Sequence, residues 1–185
     1  MDTFILKILS QDPHYSCLMD YLDMAVEEGL MDFDTDKSSF RFDHDKAREA
    51  AYEMISPDYR DGFHYEIGMI LLKRCGNQPD TKKQCLLTIL DQVNHGVPLL
   101  CDETHRLPIA KLNLQAGQES MLRSKYTSAY NFAKAAISLL ADGSWKIQYD
   151  LCLGLYCLLA KAAYSFRKMD KAKVQMTNKS CYVLV

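Results

Sequence analysis

The chain has 185 residues, with 22 Lys and Arg against 24 Asp and Glu, a formal net charge of −2, and 48% apolar residues. That balance excludes the strongly basic footprint of a dedicated nucleic-acid binder, and the absence of low-complexity runs excludes a disordered polar chain. No apolar stretch is long enough to span a bilayer, and Met1-Asp2-Thr3-Phe4-Ile5-Leu6 lacks a basic leader, so the expectation is a soluble cytoplasmic protein.

Asp12-Pro13 opens a segment in which Cys17, Leu18, Tyr21, Leu22, Ala25 and Val26 recur at helical spacing. Asp12 is placed to cap this helix, Pro13 falls in its first turn, and Gly29 sits where it would end. Leu30 to Asp34 and Ser39 to Phe42 alternate apolar with polar side chains around Thr35-Asp36-Lys37-Ser38, which predicts a β-hairpin. A short helix from Thr3 to Ser10, the longer helix and the hairpin together outline a winged-helix element over residues 1–55.

Asp43 is a plausible N-cap for a helix through Ala47, Ala50 and Ala51, which Ser56-Pro57 ends while starting another. In that next helix Tyr59, Phe63, Ile67, Ile70, Leu71 and Cys75 fall on one side. Gly76-Asn77-Gln78-Pro79 reads as a loop, and a further helix from Cys85 to Val93 ends near Asn94-His95-Gly96. Residues 56–101 are thus connecting helices.

From Glu103 to Lys171 the pattern is helical, broken at Asp142-Gly143-Ser144. Gly117 is followed by Ala129, Ala133 and Ala136, the small-residue spacing of a tetratricopeptide unit, where two antiparallel helices cross closely. Leu112, Leu114, Tyr126, Tyr130 and Phe132 are positioned to pack around them. A partial second copy holds Ala160, Ala163 and Ala172, with Leu155, Leu158, Leu159, Tyr164 and Phe166. Two ordinary alanine-rich helical hairpins fit the same pattern. The repeats span 102–173, and the tail 174–185 abandons the period. The fold class is therefore mainly α, a winged-helix element with one β-hairpin followed by antiparallel helical-hairpin repeats.

Chemistry-bearing motifs are sparse. The seven cysteines form no C-x-x-C, and the histidines at 14, 44, 64, 95 and 105 show no metal-like pairing, so the expectation is reduced thiols and no metal. No catalytic residue is assigned. The helix after Pro13 carries Asp20, Asp23, Glu27 and Glu28 and no cation before Gly29, so phosphate would be repelled. Trp145 reads as a packing residue. Lys161, Arg167, Lys168, Lys171 and Lys173 give the last helices a basic bias, either a solvated face or one for an acidic partner.

Phe40-Arg41-Phe42-Asp43-His44-Asp45 with Ala50-Ala51-Tyr52 resembles the F-x-F-x-H-D-x-x-x-x-A-A-Y segment of large multidomain signal-transduction ATPases, the hybrid serine/threonine-kinase and histidine-kinase sensors. So do His64-Tyr65-Glu66-Ile67-Gly68, Leu90 to Gly96, and Ala110 to Gly117. The resemblance covers about residues 1 to 172 and implies the winged-helix and tetratricopeptide-like region that follows a nucleotide-binding domain. It implies a segment that transmits or restrains the ATPase switch and binds protein partners, including an ATPase or kinase domain. Interaction residues on the repeats are then Asn113, Gln115, Tyr126, Tyr130 and Lys134. None of the eight glycines precedes a lysine, and there is no G-x-G-x-x-G, H-R-D or D-F-G, so the family's ATPase and kinase activities do not carry over. The expectation is a non-enzyme without cofactor, nucleic acid or membrane as partner. His44 either orients its helix, contacts ATP bound by a separate ATPase domain, or accepts a phosphoryl group.

Overall fold

The computed structural model describes residues 2–75, 79–100 and 103–165. These are mostly helical, with one two-stranded antiparallel sheet. The chain divides into two compact units, Met1–Gly96 and Val97–Val185.

In the first unit, the Asp2 carboxylate accepts the Phe4 amide at 2.8 Å and caps α1 (Thr3–Leu9). Where one helix was expected from Asp12, there is a 3-10 turn (Pro13–Tyr15) and then α2 (Leu18–Glu27). Asp12 caps the turn instead, through His14, and the Ser16 hydroxyl bonds back to the Pro13 carbonyl at 3.1 Å. Such local side-chain bonds compete with a continuous helical ladder. The predicted stop at Gly29 is present. Gly29 has φ +70°, its amide donates to Val26, and the Leu30 amide donates to Ala25, which makes a Schellman cap.

The hairpin forms as expected from β1 (Met31–Asp34) and β2 (Ser39–Phe42), in a register pairing Met31 with Phe42 and Phe33 with Phe40. Met31 and Phe40 turn inward and join Leu6 and Leu22 in one core. The Lys37 amide donates to Asp34 Oδ1 at 3.1 Å and closes the turn. That bond, with the Lys37 ammonium, holds the Asp34 carboxyl below its ordinary range. The hairpin is tied to the start of the chain: the Thr3 amide and hydroxyl both donate to the Ser38 carbonyl, at 3.0 and 2.8 Å.

Next come α3 (Asp45–Glu53), α4 (Pro57–Cys75) and α5 (Pro79–Leu100). The break at Ser56-Pro57 is where proline chemistry placed it. The cap of α3 is not Asp43 but His44, whose extended backbone presents its carbonyl to the Ala47 and Arg48 amides. On α4, Tyr59 and Phe63 are exposed rather than part of a buried side. Helix α5 does not end at Asn94-His95-Gly96. Gly96 is there for close packing: a Cβ on it would stand 2.5 Å from Tyr65 Cβ and 2.6 Å from the Asp61 carbonyl oxygen. One on Gly68 would stand 2.7 Å from the Val93 backbone nitrogen. The two helices run antiparallel with backbones nearly touching. Of the expected loop Gly76-Asn77-Gln78-Pro79, Pro79 is instead the first residue of α5, which thus starts before Cys85, and 76–78 lie outside the described residues.

The second unit holds α6 (Glu103–Leu122), α7 (Tyr126–Ser138), the single turn α8 (Ser144–Ile147) and α9 (Tyr149–Ser165). The small residues sit where the helices meet. Ala129, Ala133 and Ala136 have no exposed surface, and a side chain on Gly117 would strike Leu158 of α9. The break at Gly143 is present, with φ +81°. The turn that the two-helix reading requires between Gly117 and Ala129 falls at residues 123–125, which carry neither Gly nor Pro. There Ser124 takes φ +56°, with its amide on the Met121 carbonyl and the Lys125 amide on Ser120. Tyr164, expected inside, is 70% exposed. Phe166, Ala172 and the tail 174–185 lie outside the described residues.

A left-handed conformation costs a side-chain-bearing residue roughly 1–2 kcal/mol that glycine does not incur. Ser124→Gly should therefore stabilise the chain by about 1 kcal/mol, read as a higher urea midpoint at unchanged slope. A lower midpoint would show that the turn is not held in this geometry.

Candidate functional site

His44 stands at the N-terminus of α3 with its side chain 80% exposed, and its Nε2 lies 3.3 Å from the Asp43 carboxylate. It makes no side-chain cap bond, so its contribution to the helix comes from its backbone carbonyl.

The residues expected on a partner surface are spread by the packing of α6 and α7. Asn113 is fully buried, and its Nδ2 donates to the Ile109 carbonyl one turn earlier at 3.0 Å. Tyr130 is buried in the cluster of Ala129, Ala133, Leu158 and Leu159. Gln115 and Lys134 are exposed, and Tyr126 is half-buried. Surface contact in this set thus falls to Gln115, Lys134 and the edge of Tyr126.

The densest polar constellation is one that spacing did not reveal. His64 on α4 lies between Tyr52 on α3 and Gln92 on α5. The Gln92 Oε1 is 2.7 Å from His64 Nδ1, and the Tyr52 hydroxyl is 3.1 Å from Nε2. A carboxamide oxygen only accepts, so Nδ1 carries the proton and Nε2 receives the tyrosine O–H. His95 stacks on the same ring at 4.6 Å between centroids, and the Arg60 guanidinium covers Tyr52 at 4.6 Å. Arg60 Nε is itself fixed on the Ile55 carbonyl at 2.9 Å. With both ring nitrogens engaged, His64 joins three helices and has no lone pair free for a metal or a substrate. The signal was available in part: His64, Gln92 and His95 all lie in the segments that carry the family resemblance.

Among the described residues, no three His, Cys, Asp or Glu side chains gather as a metal site. The carboxylates Asp20, Asp23, Glu27 and Glu28 of α2 are all exposed. The cysteines divide by position. Cys17 and Cys157 are exposed, while Cys75, Cys85 and Cys152 are buried. Cys75 and Cys85 hydrogen-bond each other between α4 and α5, and burial pushes both thiols up. Cys85 is raised from an ordinary 9.0 to about 11, chiefly by burial, with the negative groups of Cys75 and Asp2 adding to it.

No family model matches the chain. No solved structure matches it either. It is similar to hybrid signal transduction histidine kinase G of Dictyostelium discoideum, at 24% identity over 139 residues. The match covers 63% of this chain and 4% of that protein, so the chain spans a small fraction of its relative's length. The relation to signal-transduction kinases is distant. No described helix is long and apolar enough to cross a membrane.

Removing the imidazole in His64→Ala strands a half-buried Gln92 oxygen, while the exposed Tyr52 hydroxyl turns to water, and should cost about 1 kcal/mol in urea unfolding. A loss below about 0.5 kcal/mol, the range of ordinary surface changes, would mean that the network does not hold the three helices. The thiols give a second check. Because the folded Cys85 value is the higher one, its contribution to stability is intact below pH 9 and lost as pH rises toward about 11. In the native chain at pH 8, a maleimide should label Cys17 rapidly, and Cys75 and Cys85 only after denaturant is added. Prompt labelling of Cys85 would contradict its burial.

Proposed function

We propose that this chain is a non-catalytic, protein-binding segment of a larger signalling protein. In this reading α1, α2 and the hairpin act as a winged-helix element, and α6 to α9 act as tetratricopeptide-like hairpins. The observation that carries it is the way the second unit is built. Gly117, Ala129 and Ala133 are spent on bringing helices together, while Gln115, Lys134 and the outer side of α9 face outward. Small residues at helix crossings with chemically varied outer faces suit a scaffold that presents surfaces to other proteins. The similarity to a histidine kinase over a short part of that protein supports a place inside a signalling polypeptide. The exposed carboxylates of α2 favour protein over nucleic acid as partner.

A second reading rests on His44. Its imidazole is exposed beside the start of α3, free to approach a nucleotide held by a separate ATPase domain, which this chain would then help to complete.

Thermal unfolding with and without Mg-ATP separates the two. A ligand at a hundred times its dissociation constant adds about 2.7 kcal/mol to the native state. The expected result is a cooperative transition that Mg-ATP leaves unmoved, both alone and with an isolated ATPase domain added. A rise that requires the added domain and disappears in His44→Ala would replace the first reading by the second.

A further inference from the structure

Helix α9 has two unlike sides. One packs on α6, α7 and α8 through Leu151, Cys152, Leu155, Leu158, Leu159 and Ala162. The opposite arc faces outward and is also apolar: Tyr149 is 51% exposed, Leu153 42% and Tyr164 70%, with Cys157 exposed and Ala160 half-exposed between them. At 100° per residue, Ala160, Leu153, Tyr164 and Cys157 follow one another within about 60° of arc, a continuous stripe the length of the helix. Water does not stabilise such a stripe, and a helix with apolar residues on both sides is normally covered on both.

Two charges on the stripe identify what covers it. Asp150 near the start and Lys161 near the end are exposed, and neither side chain is ion-paired among the described residues. They stand eleven residues apart, about 16 Å along the axis, so they do not reach each other within one helix. Both lie on the same edge of the stripe, about 20° apart around the helix.

We infer that α9 pairs with α9 of a second copy of this chain, antiparallel about a two-fold axis. That axis, perpendicular to the helices, reverses their direction but keeps each edge on its own side. Asp150 of each copy then meets Lys161 of the other, and the pair is satisfied twice. A parallel arrangement would instead carry this edge to opposite sides of the seam in the two copies, leaving Asp150 and Lys161 without each other. The axis passes at the level of Leu155 and Tyr156, where the outward side chains Leu153 and Cys157 are of modest size and permit close approach. An isologous contact of this kind buries the same stripe on both partners. Self-pairing is independent of whether the chain belongs to a signalling protein.

Sedimentation equilibrium of the full chain tests this. The expected species is a dimer. Leu153→Asp should weaken it at least a hundredfold, and Asp150→Lys, which sets four lysines on one edge, about tenfold. The double variant Asp150→Lys with Lys161→Asp restores the pairing in reversed polarity and should return the dissociation constant to within about threefold of the original. Asp150 and Lys161 are exposed, so this exchange remains informative even where Leu153→Asp fails to fold, which circular dichroism would reveal. A monomer at all concentrations, or a dimer indifferent to these changes, overturns the inference. In the monomeric case, the rate of Cys157 alkylation tells what holds the stripe. Slow labelling means that residues 166–185 of the same chain cover it, and fast labelling means that it awaits a different protein; either result counts against self-pairing.

Discussion

The missing Cβ atoms of Gly68 and Gly96 are the constraint on which the first unit depends. With any side chain there, the backbones of α4 and α5 would collide at Val93 and at Asp61 and Tyr65. Because they do not, the helices lie close enough for Gln92 to reach His64 and for Cys75 to meet Cys85. Those two polar contacts lie on either side of the glycine contact at Gly68 and Val93, so one close approach sets the register of both. The second unit uses the same device at Gly117, against Leu158. In both units the small residue determines the distance between helices, and the distance determines which side chains become neighbours.

Much of the architecture was legible because it follows from local chemistry. The alternation in Met31 to Asp34 and Ser39 to Phe42 can only bury one side of a strand, and Met31 and Phe40 are indeed the buried members. Gly29, Pro57 and Gly143 each stop or start an element through their own backbone restrictions. The spacing marked Ala129, Ala133 and Ala136 as close-packed positions, and they are fully buried, whereas Gly117 makes its tightest approach to Leu158 of α9 rather than to α7. What escaped were features decided by neighbours distant in sequence. Gly96 looks like a terminator but acts as a packing site, since Tyr65 occupies the space its side chain would take. Ser124 carries no turn signal, and the left-handed turn there is held by the two cap bonds to Ser120 and Met121.

The candidate site divides along the same line. His44 stood out because it lies in a short motif next to an acidic residue, and the structure finds it exposed with Asp43 at its side. His64 did not stand out, although it is the more fully engaged imidazole, because its partners come from helices on either side of its own. A histidine whose two nitrogens both bond across helices fixes their relative rotation more than a purely apolar contact would, since hydrogen bonds are directional where apolar contact is not. Asn113 shows the same logic within a single helix, satisfying itself one turn back and so becoming affordable in an apolar interior.

The bonds from Thr3 to Ser38 have a topological meaning. They join positions 35 residues apart, so α1, the 3-10 turn, α2 and β1 are enclosed in a loop that closes at the hairpin turn. Closing a loop of that length costs about 3 kcal/mol of chain entropy before any contact is gained. Two hydrogen bonds do not return that, so the clasp persists only while the core of Leu6, Leu22, Met31 and Phe40 holds the ends together. These elements therefore stand or fall as one cooperative piece, and amide exchange at Thr3 should report the opening of that core rather than local fraying of a terminus. Asp2 also bridges Ser39, so a pull applied at the first described residue would bear on the hairpin turn before it reached any helix.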